Sequence, residues 1–77
     1  MIIIKQCDEK ILIINSVKID QNYLIDAYIS EFNNNFEIKR NIVSPKIDIS
    51  NKNWIIFDAE VFDKNEKQKK IIYSVQF

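Results

Sequence analysis

The sequence contains no glycine and no histidine, one proline (Pro45) and one cysteine (Cys7). Each shortage excludes something. Phosphate-binding loops, dinucleotide fingerprints and nucleophile elbows need glycine for close backbone approach or positive φ, so none of them is present. Any left-handed turn position must pass to asparagine or aspartate, the next most tolerant residues. Without histidine the commonest general base and metal ligand is missing. A lone cysteine closes no internal disulfide and builds no four-ligand zinc site. Neither sign of charge is in excess: eleven Lys and Arg stand against eleven Asp and Glu. Nucleic acid and anionic membrane surfaces attract cationic proteins, so neither is expected as the main partner. Long apolar runs are lacking too. The longest, residues 1–4, 11–14 and 54–57, fall far short of the ~20 residues of a spanning helix. No cationic start followed by an apolar stretch of about 7–15 residues is visible, so no signal peptide is expected. The chain reads as either cytoplasmic or a piece of something larger.

What is present fits one small domain. Of 77 residues, 47% are hydrophobic and 29% charged, a globular balance with a single thin core. The abundance of Ile, Lys and Asn is ascribed to low-GC codon bias and carries no functional signal. Turn-rich clusters recur at Cys7-Asp8-Glu9-Lys10, Asp20-Gln21-Asn22, Asn33-Asn34-Asn35, Ser50-Asn51-Lys52-Asn53 and from Asp63 to Gln68. Between them lie runs of Ile, Val, Phe and Tyr, the pattern of an antiparallel all-β domain. The clearest strand spans 36–43, with Phe36, Ile38, Arg40 and Ile42 on one face. Trp54 and Ile56 share a face, but Ala59 and Val61 are out of phase with them, which predicts a β-bulge near Asp58. Ile71, Tyr73, Val75 and Phe77 alternate as a final strand. No internal repeat stands out. Segment 20–33 is ambiguous: Leu24, Ile25, Tyr28, Ile29 and Phe32 recur at helical spacing behind a capping Asp20 or Asn22. The neighbouring strands and short loops favour a strand there instead.

Few side chains suggest chemistry. Asp58 and Glu60 are a carboxylate pair if they share a face, and otherwise two residues of a solvated surface. Arg40, on an otherwise apolar face, is placed either to meet a phosphate or carboxylate or to reach the rim. Lys64, Lys67, Lys69 and Lys70 bracket Glu66 in what reads as a solvated hairpin end. Cys7 is expected in a turn as a free thiol. No catalysis, cofactor or metal site is expected.

The order of features resembles one family. Ile2-Ile3-Ile4-Lys5-Gln6 with Asp8 is similar to the "W-[IL]-R-Q-x-D" opening of the periplasmic domain of lipopolysaccharide-export permeases of the LptF/LptG type. Ile13-Ile14-Asn15-Ser16 and then Ile19-Asp20 resemble its next strand. Ile29-Ser30-Glu31-Phe32-Asn33 resembles "v-x-[FY]-E-F-D", and Ile42-Val43-Ser44 with Ile47 resembles "I-x-A-x-x-A". Asn53 to Val61 resembles "g-x-W-x-L-x-[DN]-[AV]-x-V". The first-strand tryptophan is absent, Lys5 stands in place of arginine, and no glycine precedes Trp54.

The resemblance implies an all-β fold: a curved antiparallel sheet, a partial β-jellyroll open along one seam, with segment 20–33 as a strand. Residues 1–77 are then a single periplasmic domain excised from a larger inner-membrane protein of a Gram-negative bacterium. The implied partners are lipopolysaccharide, other β-jellyroll Lpt components (LptC-like) through edge-strand pairing, and an ATPase subunit through the missing membrane part. Ile29, Phe36, Ile38, Ile42, Trp54, Ile56 and Val61 become lipid-contact candidates lining an apolar trough. The alternative for them is a packed core. Ile2 and Ile4 of the first strand and Ile71, Tyr73 and Val75 of the last become edge contacts. A rival expectation is a small cytoplasmic α+β protein-interaction domain with 20–33 as its helix.

Overall fold

The computed structural model describes residues 1–63 and 69–76, with side chains for 1–6 and 8–63. Six antiparallel strands, β1 (Ile2–Cys7), β2 (Lys10–Asp20), β3 (Tyr23–Asn33), β4 (Ile38–Asp48), β5 (Ile55–Asp63) and β6 (Lys69–Gln76), follow one another in a single sheet in chain order. The sheet is open, with β1 and β6 as its outermost strands. The expected all-β fold is therefore observed. Segment 20–33 belongs mainly to β3, and no helix occurs among the described residues, which removes the α+β alternative. Its helical spacing is produced by a change of strand phase, described next.

A lone sheet buries side chains completely only if it folds onto itself. Here it does so along a crease. Ser16 pairs with Ala27 and Lys18 with Ile25, yet Val17 and Asp26 between them drop out of the ladder. The same level is skipped between Asp26 and Pro45. It is skipped again where Pro45 faces Asp58, and beyond Asp58 in β6. Register is unchanged on either side of every gap, so no strand carries an extra residue there. The phase change expected at Asp58 is real, but it is a bend that runs across β2 to β5 rather than a bulge in one strand. Proline suits this line because its missing N–H has no ladder partner to lose.

Above the crease the inward row is Ile14, Ile29, Ile42 and Val61; below it Leu24, Ile47 and Ile56. All are buried in one cluster. Between the two rows run Ser16, Ala27, Ser44 and Ala59, also buried. Only short side chains fit the inside of so tight a bend. The two serine hydroxyls lie 2.8 Å from Ile25 O and 2.5 Å from Phe57 O, the carbonyls just before the creased aspartates. Each hydroxyl thus offers a partner to a part-buried carbonyl beside the gap.

This geometry exposes a repeat that sequence reading does not anticipate. Ile14-x-Ser16-x-Lys18-Ile19-Asp20 returns as Ile42-x-Ser44-x-Lys46-Ile47-Asp48, and Leu24-x-Asp26-Ala27-x-Ile29 returns as Ile56-x-Asp58-Ala59-x-Val61. The hairpins β2–β3 and β4–β5 are two copies of one unit. Their connections differ, Gln21-Asn22 in the first and residues 49–54 in the second.

With glycine absent, positive φ falls to Asp8, Gln21, Asp26, Phe36 and Asp58. Three are aspartates as expected, but none is asparagine. Asn33 serves instead as a brace: its Oδ1 accepts from Asn35 N and Glu37 N at 2.9 and 3.0 Å, holding the β3–β4 turn in which Phe36 sits at φ 59°. Asp26 and Asp58 share φ 49°. Asp58→Val puts a β-branched residue there and should cost about 1–2 kcal/mol, read as a lower urea midpoint. Asp58→Gly should leave the midpoint nearly unchanged; equal losses in both variants would mean that the carboxylate, not the dihedral, matters.

Candidate functional site

The seven lipid-contact candidates divide. Ile29, Ile42, Ile56 and Val61 come together in the inward rows and are at most 2% exposed, so they form a packed core. Trp54 is half-buried and packs against that core, as Ile3 and Ile49 do. Phe36 is not on the strand face assigned to it. It lies in the β3–β4 turn with its side chain 68% exposed, because the Asn33 brace ends β3 and β4 starts only at Ile38. Ile38, the first residue of that strand, is also exposed.

Arg40 meets a carboxylate. Its Nε donates to Glu31 Oε1 at 3.1 Å, and Glu31 is 5% exposed. The two are register partners, and Asp63 faces Arg40 from the other side. Sequence reading allowed for a carboxylate partner but did not single out Glu31, whose signal was its odd number in β3: beyond Asp26, odd residues point inward. Asp58 and Glu60 border a shallow outer depression with Asp26, Tyr28, Val43 and Pro45. Among the described residues no group of three or more His, Cys, Asp or Glu is arranged to hold a metal ion. Cys7 ends β1 rather than occupying a turn, and its side chain lies outside the described residues. So do Lys64, Glu66 and Lys67, and the side chains of Lys69, Lys70, Ile71, Tyr73 and Val75 in β6.

On β1, Ile2 and Ile4 are 68% and 69% exposed, a free edge with apolar side chains. Ile3 and Lys5 face inward, opposite Ile14 and Leu12. The Lys5 ammonium crosses the open side of the fold: Nζ donates to Lys52 O at 3.1 Å and lies 4.4 Å from the Trp54 ring centroid. The mouth of the folded sheet is therefore closed by β1 against the β4–β5 connection.

That connection is shaped by Asp48, whose Oδ1 accepts from Ser50 Oγ at 2.6 Å and Ser50 N at 2.9 Å. The hydroxyl bond, then the backbone bond, lowers the Asp48 pKa below the usual carboxylate value, with Lys46 adding to the effect. A depressed folded pKa contributes stability above the unfolded value that is lost as pH falls through the folded one. Ser50→Ala should raise the Asp48 pKa toward its ordinary value in an NMR titration of the carboxyl carbon. An unmoved titration would assign the depression to another group.

No protein-family model, no curated protein and no solved structure matches this chain. Among the described residues no helix is long and apolar enough to cross a membrane.

Proposed function

We propose that this chain is a non-enzymatic β module of a lipopolysaccharide-export permease of the LptF/LptG type, acting in the periplasm to pass acyl chains toward the next β-jellyroll of an envelope bridge. The observation that carries the reading is the ordered motif series, which falls strand by strand along one curved, open sheet: β1, β2, β3, β4 and β5 each hold their segment of it. The inward rows supply non-directional contacts suited to a moving tail, at about 25 cal/mol per Å² of apolar area. The free, apolar β1 edge is of the kind that accepts a strand from a partner sheet. With Ile29, Ile42, Ile56 and Val61 packed together, an acyl chain passes only when the two inward rows part. An ATPase partner supplies the energy for that, and no cofactor is needed on this chain.

Photo-crosslinking amino acids at Ile42 and Ile56 in the assembled transporter test the proposal, with Val17 and Lys39, both outward and exposed, as controls. Lipopolysaccharide should label the first pair during transport and not the second. Labelling confined to the controls sinks the reading.

A further inference from the structure

We infer that the mouth between β1 and the β4–β5 connection is an entry site for an anionic amphiphile, with Lys5 as the head-group contact and Trp54 as the flap over the apolar interior. This rests on the lipid reading above and adds to it where the ligand enters.

Three observations converge on the mouth. First, Lys5 is a charge on an apolar inner face. Its register partner Leu12 is fully buried, as is Ile14 opposite Ile3. An ammonium does not stay among such side chains, so it extends to the rim. Second, its two contacts there are a carbonyl oxygen and an aromatic face. Among the described residues no carboxylate pairs with it. Both contacts offer only partial negative charge, and a phosphate or carboxylate head group offers a full one in a stronger, charge-assisted bond. Third, the surroundings of the contact are apolar: Trp54 itself, and Ile3 two residues before Lys5 on the same face, pack against the core cluster. A free anion has no use for those side chains, whereas a head group with a tail uses both parts of the site.

The device also couples binding to opening. When the Lys5 ammonium turns to a head group it leaves Lys52 O and the Trp54 ring, which are the contacts bridging the mouth. Among the described residues β1 is hydrogen-bonded to a neighbouring strand only on its β2 side, so opening has to break these two contacts and the packing of Ile3 on the core, but no further strand pairing. The tail then meets the inward rows as they separate.

Trp54 is the sole tryptophan, so its emission reports entry directly. The 77-residue chain is titrated, below micelle-forming concentrations, with dodecyl phosphate and dodecyl glucoside, each brominated on the chain. The phosphate should quench Trp54 at concentrations about tenfold lower than the glucoside, the scale of one charge-assisted contact. Lys5→Met should erase that gap while keeping quenching by the glucoside, and Lys5→Arg should preserve the gap. Inorganic phosphate should leave emission unchanged; a change matching that of the alkyl phosphate would make this a free-anion site and overturn the entry role. Equal quenching by both amphiphiles, or a gap that survives Lys5→Met, overturns the inference and leaves the lipid reading standing. Quenching by neither overturns both.

Discussion

Ile42→Ala should remove a large share of the chain's folding free energy and lower its urea midpoint markedly. Ile42 is fully buried at the centre of the upper inward row, between Ile29 and Val61. Truncating such a residue typically costs about 2–5 kcal/mol through lost transfer energy plus the cavity left behind. A chain of this length has only about 4–12 kcal/mol in all. The upper part of the cost range is expected because the flanking strands fix the site on both sides and limit its collapse. Urea unfolding followed by circular dichroism measures it. A loss below about 1 kcal/mol would mean that Ile42 lines an open, hydrated trough rather than a sealed core. The same variant therefore reports on the resting state of the mouth.

The second large effect is expected at Arg40. Removing it as Arg40→Met strands the Glu31 carboxylate, which is 5% exposed, without its guanidinium. Breaking a buried pair from one side costs about 3–5 kcal/mol, and the 25% exposure of the Arg40 side chain places this case nearer 2–3. Combining it with Glu31→Gln should restore at least about 1 kcal/mol, since the neutral amide no longer needs a counter-charge. Additive losses in the double variant, measured by the same urea titration, would show that the pair is not coupled. A cost under about 0.5 kcal/mol for Arg40→Met alone would class it with ordinary surface ion pairs.

Strand order was legible in the sequence because short β-branched runs are separated by turn residues, and the turns at 8–9, 21–22, 34–35 and 50–53 fell where expected. The phase break at Asp58 was legible too, since Ile56 and Ala59 cannot both face inward on a regular strand. The crease that explains it was not, because it exists only as an alignment of Val17, Asp26, Pro45 and Asp58 across four strands. The repeat escaped for a related reason: the longer β4–β5 connection moves Asp58-Ala59 away from any fixed spacing, and the shared residues are small ones that carry little pattern. At the site, Ile29, Ile42, Ile56 and Val61, which the resemblance placed along the trough, do face inward, but sequence could not say that they touch one another. Phe36 was misplaced because the reach of the Asn33 brace depends on backbone hydrogen bonds that no alternation reveals. Lys5 entered the sequence reading only as a stand-in for arginine in the first-strand motif, and its place beside Trp54 appears only in the structure.

Each of the two duplicated hairpins carries its own serine and its own aspartate-alanine step, and the serine of the first strand reaches the carbonyl of the second. The unit is thus self-sufficient at the fold line, whereas its second strand alone would arrive with a carbonyl lacking the hydroxyl that serves it. Domains built this way should grow or shrink over evolutionary time in even steps, two strands at once. Relatives differing from this chain by an odd number of strands should carry the irregularity at a margin of the sheet.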